Sequence, residues 1–332
     1  MANTDVPDTQ ETARPAYDTV VVGAGPVGLA CAIELKRIGH RVLVVDKGAL
    51  VNSLIGYPTN MEFFSTPELL EIGNHPFSTR NYKPRREEAL DYYRKVAQTE
   101  ALELALFEEV LRLDGEQGAF ILHTAHARIR ARFVVVATGF FDIPNRLGVP
   151  GDERAIHYYK EPYAYAGRRV VIVGAKNSAA KAALDCRRNG ADVTMIVRGP
   201  DIGASVKYWI RPDLLNRIEE GAIRAFFNSR ILRLGTGTLT FQTGNEPSQT
   251  IPNDVVLALT GYRPNYDLLS ALGVTWQDDH AWTPLYDPET FESHRSGVFL
   301  AGTVCGGLNT SRWFIENGRF HAARIAAELD GR

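Results

Sequence analysis

Two stretches of this chain combine glycine, a helix start and a charged residue at a spacing that suits nucleotide binding. In the first, residues 19–22 run into Gly23-Ala24-Gly25-Pro26-Val27-Gly28, and a helical pattern follows through Ile38. Gly39 closes that helix, and residues 42–45 form a second apolar run ending on Asp46. Gly23 permits a tight turn, Gly25 lets the backbone approach a pyrophosphate, and Gly28 lets helix pack on strand. The helix start offers unpaired N–H groups and a positive dipole end to phosphates. Asp46, 23 positions after Gly23, can accept hydrogen bonds from both hydroxyls of a ribose.

A second unit repeats the order. Residues 170–173 lead into Gly174-Ala175-Lys176-Asn177-Ser178-Ala179, the helix continues to Arg188, and residues 193–197 end at Arg198. Arg198 lies 24 positions after Gly174, the place of Asp46 in the first unit. An arginine there suits a 2′-phosphate, and so NADP(H) over NAD(H). Lys176 stands where the second glycine of the pattern belongs. Its Cβ holds a pyrophosphate slightly off the backbone, while its ammonium can grip a phosphate.

The elements that must position these residues also echo each other. A helical stretch over 85–105 leads to strands at 109–113 and 120–124, then to a buried run ending in Thr138-Gly139. After the second unit, strands at 223–233, 238–242 and 250–251 lead to a run ending in Thr260-Gly261. Both halves read as βαβ, antiparallel meander and buried strand, so the fold class is α/β with two Rossmann-like, three-layer nucleotide-binding domains. A Pro-, Gly- and Tyr-rich link covers 144–167. Residues 297–303 read as a strand into the glycine turn at Gly302-Thr303, and a helix is expected from Arg312. The expected division is a tail over 1–16, a discontinuous domain of 17–150 plus 257–332, and an inserted domain of 153–256.

Composition narrows the function classes. The 332 residues carry 37 Lys and Arg against 39 Asp and Glu, a net charge of −2. That balance argues against nucleic acid or an acidic membrane as the main partner. Cys31, Cys186 and Cys305 are too few and too far apart for a C-x-x-C dithiol, a disulfide framework or a zinc site. No metal is expected. The polar, acidic first 16 residues lack a signal peptide's apolar stretch, and a soluble, cytoplasmic protein is expected.

The two glycine-turn domains resemble those of thioredoxin-reductase-like flavoproteins. Within them, several motifs are similar to the bacillithiol disulfide reductase family (YpdA type): Asn52-Ser53-Leu54-Ile55-Gly56-Tyr57-Pro58-Thr59, Phe63-Phe64-Ser65 and Leu70-Glu71-Ile72-Gly73. So are the 174–179 turn with its Lys176, Ser205-Val206-Lys207-Tyr208-Trp209, and Phe314-Ile315-Glu316-Asn317-Gly318-Arg319-Phe320-His321. The resemblance implies FAD on Gly23, Gly25, Gly28, Asp46, Lys47, Asn52, Thr138, Gly139, Gly302 and Thr303. It implies NADPH on Gly174, Lys176, Asn177, Ser178, Ala179 and Arg198, hydride transfer to the flavin, a small-molecule disulfide or other electron acceptor, and a homo-oligomer.

One position departs from the family. Its proposed redox cysteine falls at Val27, which cannot form a mixed disulfide. Cys31 and Cys186 read as core thiols. Cys305 follows Gly302-Thr303 near an expected helix start that could lower a thiol pKa, so it is the candidate redox residue. His75 is a candidate for proton transfer, whereas His321 reads as a packing histidine. Lys207, Tyr208 and Trp209 could meet the nicotinamide-side ligand or pack a domain interface. The leading reading is an NADPH-dependent FAD oxidoreductase acting on a low-molecular-weight disulfide. Alternatives are a ferredoxin–NADP reductase, which works without a cysteine pair, and a flavin redox sensor without turnover.

Overall fold

Residues 17–332 are described, in a computed structural model, and the tail expected over 1–16 lies outside the described residues. The first sheet grows from β1 (Tyr17–Val22), the apolar run before the first glycine turn. α1 (Pro26–Arg37) follows, and β2 (Val42–Asp46) returns parallel beside β1. α2 (Asn52–Gly56) and α3 (Pro67–Leu70) are short, and α4 (Arg86–Thr99) is longer. The helix expected to reach 105 stops earlier: Ala101 takes φ +47°, and β3 (Glu103–Leu106) pairs parallel with β2. Glu-Leu-Ala-Leu consists of good helix formers, and pairing with the edge of β2 overrides that preference.

β4 (Val110–Asp114), β5 (Phe120–Thr124) and β6 (Arg128–Val136) form an antiparallel meander, and β6 also lies parallel to β1. The order across the sheet is β3-β2-β1-β6-β5-β4. Because β6 has nine residues, its 128–131 half pairs with β5 and its 134–136 half is left for another strand.

After β7 (Ile143–Pro144), β8 (Arg169–Val173), α5 (Asn177–Arg188) and β9 (Asp192–Ile196) repeat the strand–turn–helix–strand unit. α6 (Arg211–Glu219) and β10 (Arg224–Phe226) extend it. β11 (Ser229–Gly235), β12 (Thr238–Thr243) and β13 (Gln249–Pro252) make a separate three-stranded sheet, and β14 (Val255–Ala258) closes parallel on β8. Strand alternation assigns the two faces. Val170 and Ile172 pack with Ala179, Ala180 and Ala183 of α5, while Val171 and Val173 pack with Leu234, Leu239 and Phe241 of the small sheet. Helix, sheet and meander are thus three layers. Each such Val, Leu or Ile contributes on the order of 1.5–3 kcal/mol by leaving water. The boundary expected between 256 and 257 falls inside β14, whose four residues belong to the second sheet.

β15 (Tyr262–Arg263) pairs with β7 as a two-stranded tie between the halves. α7 (Tyr266–Ala271) packs near β4, and β16 (Val298–Leu300) takes the open edge of β6 at 134–136. The helix expected from Arg312 is instead two, α8 (Ile315–Gly318) and α9 (His321–Leu329), with α9 packed on α1.

Candidate functional site

β1, β2 and β6 end side by side, and a groove at their carboxyl ends is lined by Gly23, Asp46, Lys47, Asn52 and Thr138. Gly23 holds φ +113°, and a Cβ there would lie 2.5 Å from the Ala137 carbonyl oxygen. A Cβ on Gly28 would lie 1.9 Å from the Gly23 carbonyl oxygen, so neither position accepts a side chain. At Gly25 a Cβ would meet nothing within 4 Å, and the backbone there is open to a ligand. Pro26 opens α1, and no side chain caps its N-terminus. The first-turn amides therefore keep their donors for an anion.

Asp46 is aimed by its own neighbours. Its Oδ2 accepts the Ala24 N–H at 2.7 Å and its Oδ1 the Gly48 N–H at 2.8 Å. Each oxygen retains acceptor capacity. Burial raises the carboxyl pKa, and the two backbone bonds oppose that shift. Lys47 is neutralised by Asp142 at 2.9 Å. α2, which begins at Asn52, is anchored at its far end: Arg86 Nε donates to Leu54 O at 2.9 Å and Lys160 Nζ to Ile55 O at 2.6 Å.

Gly139, Gly302 and Thr303 meet at the carboxyl ends of β6 and β16. A Cβ on Gly139 would lie 3.6 Å from Thr303 Oγ1, and Gly302 takes φ +77°. The Gly302 N–H donates to His321 Nδ1 at 3.1 Å, which places the imidazole proton on Nε2. Phe291 stacks on that ring at 3.9 Å and Trp313 meets it edge-on at 4.4 Å. Burial pushes His321 down to about 4, so it is a neutral packing and hydrogen-bonding group.

Val27 is buried under this junction, where a Cβ on Gly302 would lie 3.2 Å from its own Cβ. Cys305 is fully buried, with Sγ 3.9 Å from His321 Nδ1. The expected lowering of its pKa by a helix start is corrected: residues 302–306 form only a 3-10 turn, and burial pushes the thiol up. Cys31 and Cys186 are also buried, and desolvation pushes each up to about 12. All three thiols are free. Protonated and enclosed, they are poor nucleophiles.

The second set stands apart, on the second sheet. Gly174 holds φ +138°, and a Cβ there would lie 2.5 Å from Leu259 O and 3.1 Å from the Ala179 Cβ. Ala179 is therefore packing beneath the turn. Lys176 is the exposed N-cap residue of α5, again without a side-chain cap, and Ser178 beside it is exposed. Asn177 ties the turn to the next loop: its Oδ1 accepts the Lys207 N–H at 2.9 Å and its Nδ2 donates to Ser205 O at 3.1 Å. Arg198 is exposed two residues past the end of β9.

His75 is not in either site. Its Nε2 pairs with Glu100 at 2.7 Å, and Arg37 at the far end of α1 reaches the same carboxylate at 3.1 Å. Groove residues that the sequence reading missed are Ser53, Glu108, Glu109, Val110, Asp142, Asn265 and Leu268. Asn265 had a readable signal, because it caps α7 by accepting the Leu268 N–H at 3.1 Å. Among the described residues, no group of three His, Cys, Asp or Glu could hold a metal ion, and no helix is long and apolar enough to cross a membrane.

Comparison with known proteins places this geometry. Residues 20–302 match the model of the pyridine nucleotide-disulphide oxidoreductase family. The chain is 40% identical to bacilliredoxin reductase Bdr of Bacillus subtilis (strain 168), over 94% of this chain and 97% of that protein. It is similar to the solved bacillithiol disulfide reductase Bdr (YpdA) from Bacillus cereus, with TM-score 0.93 and 38% identity over 96% of this chain and 100% of that one. It is also 26% identical to a ferredoxin–NADP reductase of Ignicoccus hospitalis (strain KIN4/I / DSM 18386 / JCM 14125), over 86% of this chain and 90% of that protein.

Proposed function

The chain belongs to the pyridine nucleotide-disulphide oxidoreductase family, in its bacillithiol disulfide reductase (YpdA-type) branch, and from that premise we propose an NADPH-dependent FAD oxidoreductase whose acceptor is a low-molecular-weight disulfide. One observation carries the reading. Two glycine turns each feed a helix whose N-terminus no side chain caps, one followed by an aimed carboxylate and the other by an exposed arginine.

The residues of the first groove fit FAD. The open backbone at Gly25 and the first-turn amides of α1 would hold its pyrophosphate, and Asp46 would accept from its ribose hydroxyls. Lys47, Asn52, Thr138, Gly139, Gly302 and Thr303 would line the remainder. The second set fits NADPH, with Lys176 on the pyrophosphate and Arg198 on the 2′-phosphate. When bound, these groups supply hydride transfer and two-electron reduction of the acceptor. The chain's own residues orient them, neutralise phosphate charge and present donors where negative charge gathers. No accessible thiolate joins in: Val27 replaces the family's proposed cysteine, and the three cysteines are buried. Disulfide reduction would therefore proceed without a mixed disulfide on this chain.

The same absence of an exposed thiol favours one second reading, a ferredoxin–NADP reductase. The deciding experiment offers bacillithiol disulfide, ferredoxin and oxygen in parallel to the anaerobic, NADPH-reduced enzyme and follows flavin reoxidation. Fastest reoxidation by the disulfide is expected. Preference for ferredoxin would move the assignment to the second reading, and a protein that gains no flavin on refolding with FAD would end both.

A further inference from the structure

The chain passes between its halves at one place, leaving after β7 and returning through β15, and those two strands pair with each other. Phe141 stands at the centre of this junction and meets three rings. Tyr57, the residue after α2, is edge-on at 4.9 Å, Tyr158 of the link lies at 5.5 Å, and Tyr262 of β15 at 4.3 Å. Tyr158 and Tyr262 are themselves 5.3 Å apart. Gly56 makes the room, because a Cβ there would lie 2.6 Å from Phe141 Cε1. Phe141, Tyr158 and Tyr262 lie outside the apolar cores of both halves, and Phe141 is not part of the lining of the first groove.

The backbone around these rings is bonded in both directions. Toward the second sheet, the Ile156 N–H donates to Val256 O and Ile156 O accepts the Ala258 N–H, both at 2.9 Å, so the link adds to the edge of β14. Toward the first groove, the Tyr158 hydroxyl donates to Asp142 O at 2.8 Å and the Thr59 N–H to Lys160 O at 2.9 Å. Lys160 Nζ reaches Ile55 O, as described above, and the Tyr262 hydroxyl donates to His157 O at 2.6 Å. These partners belong to the groove wall: Asp142 lines it and pairs with Lys47, and Ile55 is in α2, whose Asn52 and Ser53 also line it. A two-stranded pairing is marginal by itself. Rings in edge-on and tilted contact prefer particular orientations, and here they brace the pairing from several sides.

We propose that Phe141 is a positioning residue for hydride transfer: its ring holds the wall of the first groove and the second nucleotide domain in one relative arrangement. The hydride step rests on the NADPH–FAD reading above; the bracing role of the ring rests on its contacts. The step is NADPH + FAD + H⁺ → NADP⁺ + FADH₂, in which a nicotinamide C–H bond breaks, a flavin N–H bond forms, both electrons travel with the hydride, and the proton comes from solvent. Such a transfer requires reacting atoms about 3–3.5 Å apart, and a misplacement of about 1 Å costs on the order of a hundredfold in rate.

The test compares wild type, Phe141→Ala and Gly56→Ala. Glu116→Cys and Glu246→Cys, at exposed sites one in each half, take spin labels selectively because the native thiols are buried. Dipolar spectroscopy, with and without FAD, should give a narrow label distance in the otherwise wild-type protein and a broader distribution in both variants. Anaerobic flavin reduction at saturating NADPH should slow about tenfold or more in Phe141→Ala and about threefold or more in Gly56→Ala. FAD content and the NADPH concentration for half-maximal rate should stay within about twofold, because neither residue lines a nucleotide site. Gly56→Ala keeps the ring and adds only a methyl group, so it carries the test where Phe141→Ala does not fold. Unbroadened distances, or reduction within about twofold of wild type in both variants, overturn the proposal. So does loss of FAD in step with the rate, which would make the ring a support of the flavin site alone. If the distances broaden but NADPH reduces the flavin in none of the proteins, wild type included, the bracing role stands and the oxidoreductase reading falls.

Discussion

Acidification should loosen the Gly302 turn through His321. The ring is 2% exposed, its Nδ1 accepts the Gly302 N–H at 3.1 Å, and burial together with the Arg324 charge brings its pKa to about 4. An unfolded histidine takes up its proton near 6.5, so between about pH 6.5 and 4 the unfolded state binds more protons than the folded one. The stabilisation is therefore complete above about pH 6.5 and lost as pH falls toward 4. A gap of about 2.5 units at about 1.4 kcal/mol each amounts to about 3–4 kcal/mol. Protonated Nδ1 can no longer accept the Gly302 N–H, so flavin release should accompany the loss. Titration of the histidine Cε1–H resonances gives the pKa directly, and urea unfolding of wild type and His321→Gln from pH 7 to 4.5 gives its energetic weight. A His321 pKa near 6, or the same pH slope in both proteins, would refute the reasoning.

Three further outcomes are expected. Arg198→Ala should raise the KM for NADPH tenfold or more while changing that for NADH less than about twofold, since only NADPH brings a 2′-phosphate; equal effects would reject that contact. Gly28→Ala puts a Cβ 1.9 Å from Gly23 O and should cost about 1–3 kcal/mol as overpacking does, with most FAD lost on purification. Full flavin content in that variant would mean the turn can move aside. Cys305→Ser should leave bacillithiol disulfide reduction within about twofold of wild type, and a tenfold loss would make the buried thiol part of the chemistry.

Local patterns in the sequence carried much of the fold. Both glycine turns, the helices after them and the strands ending at Asp46 and Arg198 are encoded within thirty residues each, where spacing alone dictates what meets what. Legibility ended where distant segments compete. Glu103–Leu106 has helical composition and becomes a strand because β2 offers an unpaired edge. Val255–Ala258 reads the same whichever sheet it joins, and only its pairing with β8 settles the matter. Asp142 reaches the groove from a segment far from either glycine turn, so no spacing rule could announce it, and Asn265 is readable only as a helix cap, not as a groove residue. The expected pKa direction at Cys305 is reversed for a related reason. Its neighbours Gly302 and Thr303 stand just past the carboxyl end of β16, but the next residues turn inward, and burial decides a thiol's pKa more strongly than a single turn of 3-10 helix.

Position 27 joins these threads. Its side chain is confined by two glycines, Gly302 and Gly318, whose added Cβ atoms would stand 3.2 and 3.5 Å from Val27 atoms. Cysteine and valine are close in size, so both suit that space. An exchange between them conserves packing and so costs the fold little. It changes chemistry wholly, because one can form a bond to sulfur and the other cannot. The fold thus places no demand on the thiol. Exchanging Val27 for cysteine would offer an acceptor a thiol while leaving the glycines of both turns in place, a separation of acceptor chemistry from cofactor binding. That separation makes position 27 a place to test the acceptor step without disturbing the domains that feed it.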